Sequence, residues 1–459
     1  MAVQRFYERI WPENVGCLIL VYLSGCLVSA TTLIDFQSNI LFWPCHIFII
    51  LCLIVTVFRK GYFDNIVAIY KRDWAALVIV LFLLYFIFIA TTYHDSHTAL
   101  AYEKTWLTKI GAGIILGFFL ANPGMGEGYS RKQSRADAVA ITFCLLALLW
   151  ISWRLASRLR PDIFLIRINP GSPNYYQMFG DYLILVFFGM ILTLRRLVDS
   201  KKHAALQAAS LLIITIWALL LAQIVGSNNA TIVIAIIGGG IFMCDIFANR
   251  GSSGARRTIY VLISEGVLAA VLVFVTFSSL PPVRLFNYRP VPFAISNFTS
   301  ERLRTVVPDD IRPDVEQDSA SPSPGAPADD EIESPIAGSS IDSRWRILLN
   351  NGLEQLRVNP LFGDLGAEIV TGHPGEYIHS ILSVQSHTGI VGSMLIILFL
   401  VLRVPALVKL GGYYAVSVFV LSVILVSLAA TFFVWVPFWL AMGALLAAPL
   451  MRRRGGCVA

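Results

Sequence analysis

The chain has 459 residues, of which 56% are hydrophobic and only 14% are charged, and its formal net charge is +6. Its mean hydropathy of +0.71 is far above that of soluble globular proteins. These values exclude a soluble globular domain and indicate a polytopic membrane protein.

Long apolar segments recur along most of the chain, and each can cross about 30 Å of hydrocarbon as a helix. About twelve transmembrane helices are predicted, at residues 15–34, 39–58, 74–92, 105–121, 137–156, 175–194, 204–222, 228–247, 258–279, 388–404, 413–430 and 432–450. We therefore expect an all-α, polytopic integral membrane protein. The first nine helices occupy residues 1–280, a large loop occupies residues 281–387, and the last three helices and a tail occupy residues 388–459.

Lysine and arginine in the connecting loops predict the orientation of these helices. Every second loop is basic and contains these residues: Arg59, Lys60, Lys71, Arg72, Arg131, Lys132, Arg135, Arg195, Arg196, Lys201, Lys202, Arg250, Arg256, Arg257, Arg403 and Lys409. Cytoplasmic loops carry the excess of basic residues, so we expect these loops and both termini in the cytoplasm. The large loop is then expected on the outer face.

Two outer segments carry more arginine than this rule predicts. The loop after the fifth helix has Arg154, Arg158, Arg160 and Arg167, and the large loop begins with Arg284 and Arg289. One interpretation is that long loops cross the membrane whatever their charge and that the other arginines anchor a helix at the lipid headgroups. The second is a bound anion such as a lipid-linked phosphate, because the planar guanidinium binds phosphate with two hydrogen bonds.

The large loop is divided by its composition. Residues 281–307 carry the first arginines, and residues 308–340 are rich in Pro, Ser, Ala and acidic residues. A segment of that second kind buries too little apolar surface to order itself, so we expect a flexible flap. Residues 341–357 place apolar side chains at helical spacing opposite a polar face with arginines, which predicts an amphipathic helix on the membrane surface.

The last segment of the loop contains the candidate catalytic residues, Glu376 and His379, just before an apolar helix. Histidine acts as a general base near neutral pH, and Glu376 can orient its ring. The alternative is that His379 only stabilises the loop by hydrogen bonding. No metal is predicted, because the histidine spacing is neither H-x-x-x-H nor H-E-x-x-H and no cysteine lies in the loop.

Three motifs around this segment resemble those of the O-antigen ligase and O-antigen polymerase superfamily. They are Asn-Pro-Leu-Phe-Gly at residues 359–363, His-Ser at residues 379–380 and Thr-Gly-Ile-Val-Gly at residues 388–392. The segment at residues 160–174, and the single large loop before the last few helices, are also similar to the family.

The chain departs from the family pattern in two places. The spacing from His379 to Gly389 is one residue shorter than in the family, which would alter the helical phase of the histidine. Ser227 is followed by Asn228 and Asn229 where the family tends to have an arginine. Arginines elsewhere in the chain would then have to bind a phosphate.

The resemblance implies a GT-C-like enzyme of the bacterial inner membrane whose large loop is periplasmic. It would transfer a glycan from undecaprenyl diphosphate to an acceptor hydroxyl, with His379 and Glu376 as catalytic residues and without a cofactor. The arginines implied in diphosphate binding are Arg158, Arg160, Arg167, Arg284 and Arg289. The acceptor would be lipid A-core in a ligase and another lipid-linked glycan in a polymerase.

A transporter or flippase for an anionic lipid is an alternative from a different class, since it would also use arginines in the membrane. The sequence contains no internal repeat with matching broken helices, which disfavours this alternative. No nucleic-acid partner is predicted.

Overall fold

The computed structural model describes residues 15–36, 50, 67, 70–71, 73–92, 97–121, 131–156, 175–197, 200–225, 227–248, 357, 359–365, 382–408, 414–429 and 435–449. This part of the chain forms ten α-helices and no β-strand. The helices are α1 (Val15–Phe36), α2 (Trp74–Thr92), α3 (His97–Ala121), α4 (Arg131–Ala156), α5 (Tyr175–Leu197), α6 (Ser200–Val225), α7 (Asn228–Ala248), α8 (Leu382–Val408), α9 (Tyr414–Ala429) and α10 (Val436–Leu446).

The all-helical architecture predicted from the sequence is confirmed for the described residues. Each of the ten helices overlaps one predicted span, and α2, α4, α5, α6 and α8 are long and apolar enough to cross a membrane. The apolar parts of the other five helices are shorter. The predicted spans at 39–58 and 258–279 lie outside the described residues apart from Ile50, as do the flap and, apart from Arg357, the surface helix.

Three helices expose apolar faces that are too large for contact with water. The exposed side chains include Leu77, Leu84 and Phe88 of α2, Val139, Leu146 and Trp153 of α4, and Met394, Ile397 and Val401 of α8. They recur three, four or seven residues apart, so each set lies on one side of its helix. Apolar surface of this extent suits hydrocarbon, as expected for a membrane-embedded protein.

The short helix α10 lies inside the bundle. Every residue from Pro437 to Leu445 is buried, and α10 contacts α3, α5, α8 and α9. A helix that is apolar on all sides is stable only when other helices surround it. Its largest side chain, Trp439, is fully buried and stacks on Phe82 of α2, with ring centroids 5.4 Å apart.

Glycines allow α3 and α10 to approach each other backbone to backbone. The contacts pair Gly113 with Trp439, Gly117 with Leu440, and Gly443 with Ile114 and Phe118. Tyr70 contacts the last turns of both helices, because its ring lies 6.2 Å from that of Phe118 in α3 and its hydroxyl donates to the carbonyl of Leu446 in α10. The two helices therefore run parallel. A Cβ atom added to Gly117 would lie 2.0 Å from the carbonyl oxygen of Leu440. Small residues are what permit such close crossings between membrane helices.

Ion pairs join the helices near one end of the bundle, which we call the ion-pair end. The pairs are Asp73 with Arg403 (α2 to α8), Asp137 with Arg196 (α4 to α5, 3.1 Å) and Asp245 with Arg195 (α7 to α5, 2.6 Å). These residues lie near the starts of α2 and α4 and near the ends of α5, α7 and α8. Consequently α5, α7 and α8 begin at the opposite end.

Three arginines that the sequence assigned to loops are therefore part of this packing. Arg195 and Arg196 lie in the last turn of α5, and Arg403 lies within α8. A positive charge is favourable near a helix C-terminus, and each arginine binds an aspartate on a neighbouring helix. Asp137, with no exposed side-chain surface, also accepts a hydrogen bond from the thiol of Cys17 at 2.7 Å.

A methyl group at the crossing of α3 and α10 should destabilise the protein. Gly117→Ala places a Cβ against the backbone of α10, and overpacking of this kind costs about 1–3 kcal/mol. We expect a lower midpoint of thermal unfolding for detergent-solubilised protein. Gly111→Ala, two turns earlier on the same helix in open space, is the matched control. Equal midpoints for the two variants would contradict the close crossing.

Candidate functional site

Two of the sequence motifs meet where α8 begins. The backbone N–H of Asp364 donates to the carbonyl of Ser386 (2.9 Å), that of Ile390 to Pro360 (2.9 Å) and that of Val391 to Leu361 (3.3 Å). We call this contact between residues 359–365 and 386–391 the backbone clasp. Both motifs resemble those of one family, and the structure places them against each other.

The sequence of the first motif explains the shape of its turn. The N–H of Gly363 donates to the carbonyl of Asn359 at 2.8 Å, and the side-chain oxygen of Asn359 accepts from the N–H of Phe362 at 3.4 Å. Pro360 supplies the fixed φ angle that favours the second position of a turn. Gly363 has φ +73°, which a glycine adopts at little cost. The turn is thus built by its own residues.

Gly389 interrupts α8 and makes the second half of the clasp. Its φ of 66° and ψ of −171° fall in a region that is essentially restricted to glycine. The helix beyond it begins anew, so the N–H groups of Ile390 and Val391 have no partner within that helix. The carbonyls of the turn accept from these two groups, which explains why the motifs bind each other.

Side chains of α2 and α3 attach the clasp to the bundle. The hydroxyl of Tyr85 in α2 donates to the carbonyl of Thr388 at 2.8 Å. The ring of His387 meets Trp106 of α3 edge to face, with centroids 5.2 Å apart. His387 and Thr388 are completely buried. The clasp is therefore fixed to two helices rather than resting on the surface.

The clasp holds both ends of the segment that contains the predicted catalytic residues. Residues 366–381 connect the turn to α8, and Asp364 and Ser386 on either side of this connection are hydrogen-bonded to each other. Glu376 and His379 belong to the connection and lie outside the described residues. The same holds for the predicted diphosphate ligands Arg158, Arg160, Arg167, Arg284 and Arg289.

A group of polar residues that the sequence interpretation did not single out lies deeper in the bundle. The indole N–H of Trp435, just before α10, donates to Oδ1 of Asp181 in α5 at 2.8 Å. Lys109 of α3 is close enough to Asp181 to interact with it electrostatically. We call Lys109, Asp181 and Trp435 the polar layer. Charged residues inside the predicted spans 105–121 and 175–194 were the signal that could have revealed it.

The start of α7 packs beside this layer through neutral hydrogen bonds. Ser227 lies against Gly180, where an added Cβ would be 2.0 Å from the serine hydroxyl oxygen. The hydroxyl of Thr231 donates to the carbonyl of Ser227 at 3.0 Å, and the amide of Gln223 donates to the Thr231 oxygen at 2.8 Å. Hydrogen bonds between uncharged groups thus join Ser227, Gln223 and Thr231 around the first turn of α7.

The described residues can bind a ligand through hydrogen bonds and through charged side chains. Across those residues, no three His, Cys, Asp or Glu side chains gather as a metal site. The polar layer offers an ammonium donor and a carboxylate acceptor. No protein-family model, curated protein or solved structure matches this chain.

Loss of the glycine at the break in α8 should open the clasp. In Gly389→Ala the unusual backbone conformation costs about 1–3 kcal/mol, and the new Cβ would lie 2.2 Å from the carbonyl oxygen of Leu361. We expect the amides of Asp364 and Ile390 to exchange with deuterium about tenfold to a hundredfold faster, measured by hydrogen-exchange mass spectrometry. Gly239→Ala, in open space on α7, should leave both rates unchanged. Unaltered exchange in Gly389→Ala would refute the clasp.

Proposed function

We propose that the chain is a membrane glycosyltransferase of the O-antigen ligase type. It transfers a glycan from undecaprenyl diphosphate to an acceptor hydroxyl. The backbone clasp is the observation that carries this proposal, because it joins the two motifs on either side of His379 and attaches them to the membrane-spanning bundle. A general base for a lipid-linked substrate needs such a fixed position at the membrane.

In this proposal, twelve helices cross the bacterial inner membrane, both termini are cytoplasmic and the loop at 281–387 is periplasmic. The ion-pair end supports the orientation, because Arg195, Arg196 and Arg403 lie there beside the basic loops. The clasp is at the start of α8, which is the opposite end of the bundle. His379 then meets substrates on the periplasmic side.

The proposed reaction moves one proton and exchanges one bond. His379, oriented by Glu376, takes the proton of the acceptor hydroxyl, and the oxygen attacks the anomeric carbon of the donor sugar. The bond from that carbon to the diphosphate breaks, and the diphosphate leaves with the electron pair. The arginines that bind it are Arg158, Arg160, Arg167, Arg284 and Arg289. Their charge stabilises the leaving group, and the donor is already activated, so no cofactor takes part.

Removal of the proposed base should abolish transfer without loss of protein. His379→Ala is expected to lower the rate by about 10²–10⁴, measured as glycan transferred by purified protein in detergent micelles. His373→Ala, on the same segment, is the matched control and should retain activity. A transporter moves its substrate between two compartments and would transfer no glycan in micelles. Full transfer by His379→Ala would eliminate the catalytic role.

The identity of the acceptor decides between a ligase and a polymerase, which share the same donor chemistry. Deletion of the gene and inspection of the surface polysaccharide separates them. Long chains that remain on the carrier lipid, with an uncapped lipid A-core, are the expected result for a ligase. Single short units transferred to the lipid A-core would instead identify a polymerase.

A further inference from the structure

The polar layer places opposite charges inside membrane-spanning helices. Asp181 lies in the candidate span that begins at Met178, and Lys109 lies in the apolar part of α3. Ionisable residues are costly at such positions and commonly mark a path or a binding site for a polar ligand. At the ion-pair end, by contrast, each charged aspartate has an arginine partner within hydrogen-bond distance.

The crossing of α3 and α10 fixes the height of the layer. Gly113 contacts Trp439 in this parallel pair. Lys109 precedes Gly113 by four residues, and Trp435 precedes Trp439 by four, so both lie about one helical turn before the contact. Lys109 is therefore level with Trp435, whose indole holds Asp181. The geometry thus brings together residues of α3 and α5 and the residue that precedes α10.

The charges of the layer are left open to a ligand. Lys109 is exposed, and among the described residues it forms no ion pair within 4.0 Å. Trp435 donates to Oδ1 of Asp181, while Oδ2 accepts no hydrogen bond from the described part of the chain. The ammonium can donate to a phosphate oxygen, and Oδ2 of Asp181 can accept from a hydroxyl.

The layer lies about one helical turn along α3 from the contact between α3 and the backbone clasp. Trp106 precedes Lys109 by three residues on α3, so the two side chains project from the same face about one turn apart. Trp106 contacts His387 of the clasp. A ligand held by Lys109 and Asp181 would thus lie next to the anchor of the segment that contains His379.

We infer that Lys109 and Asp181 form a binding site for a phosphate ester that carries hydroxyl groups. Lys109 binds a phosphate oxygen, and Asp181 accepts a hydrogen bond from a neighbouring hydroxyl. The sugar diphosphate of a lipid-linked donor has this chemistry, and in that form the inference rests on the proposed function. The headgroup of phosphatidylglycerol has the same chemistry and is the other source.

Lipid titrations of the purified full-length protein, followed by native mass spectrometry, test the role of Lys109. The probes are undecaprenyl diphosphate and phosphatidylglycerol, each added in detergent. Lys109→Gln should weaken binding about tenfold or more, because it removes a charge-assisted hydrogen bond. Lys109→Arg should retain binding. Lys71→Gln, at an exposed lysine of the ion-pair end, is the matched control and should bind like the wild type.

A second variant tests Asp181 with a different readout. Asp181→Asn should bind undecaprenyl diphosphate at least as tightly as the wild type, because a negative charge near the phosphate is removed. Its preference for undecaprenyl diphosphate N-acetylglucosamine should fall, since a neutral amide oxygen accepts a hydrogen bond from a sugar hydroxyl more weakly than a carboxylate does. Trp435→Phe keeps both charges and should reduce that preference only in part.

The outcomes separate this inference from the proposed function. If Lys109→Gln binds both lipids as tightly as the wild type, the inference is overturned, even where transfer still depends on His379. If the wild type binds neither lipid, both the inference and the proposed function fail. A loss confined to phosphatidylglycerol supports the site and assigns it to a phospholipid, and a loss confined to undecaprenyl diphosphate assigns it to the donor.

Discussion

The close crossing of α3 and α10 is the contact on which the rest of the bundle depends. Hydrocarbon is as apolar as a leucine side chain, so helices in a membrane associate through tight packing rather than through exclusion of water. Three glycines permit that packing, namely Gly113, Gly117 and Gly443. The helix α10 is consequently surrounded by other helices of the bundle. The heights of Trp435 and Lys109, and with them the polar layer, follow from this one contact.

The two ends of the bundle are held together by different kinds of interaction. At the ion-pair end, arginine and aspartate neutralise each other between helices, which limits the cost of placing charges near lipid. At the other end, backbone hydrogen bonds hold the clasp together. In the polar layer, the described charges of Lys109 and Asp181 form no direct ion pair, and the indole of Trp435 binds Asp181. In the proposed orientation, the ion pairs and the backbone clasp thus lie on opposite sides of the membrane.

Apolar composition predicts the helices well where it is unbroken, as in α2, whose bounds at Trp74 and Thr92 coincide with the predicted span. Apolar composition fails where the end of a helix is polar. The predicted span at 105–121 therefore lacks the first turns of α3, which contain charged residues such as Glu103 and Lys104. The motifs of the clasp were identified, but their contact was not, since a pairing between distant residues leaves no periodic pattern. For the same reason, the hydrogen bond between Asp181 and Trp435, which are 254 positions apart, could not be predicted from the sequence.

The break at Gly389 makes the rotation of α8 about its axis independent of the helical phase of the residues before the break. In a continuous helix, one residue fewer turns everything beyond it by about 100°. Here φ and ψ of a glycine reset the direction of the chain, and residues 359–365 position the membrane helix beyond it. The segment with His379 can therefore gain or lose a residue during evolution without turning the lipid-facing side of α8 inward. A spacing from His379 to Gly389 that is one residue shorter than in the family that the motifs resemble would be accommodated in this way.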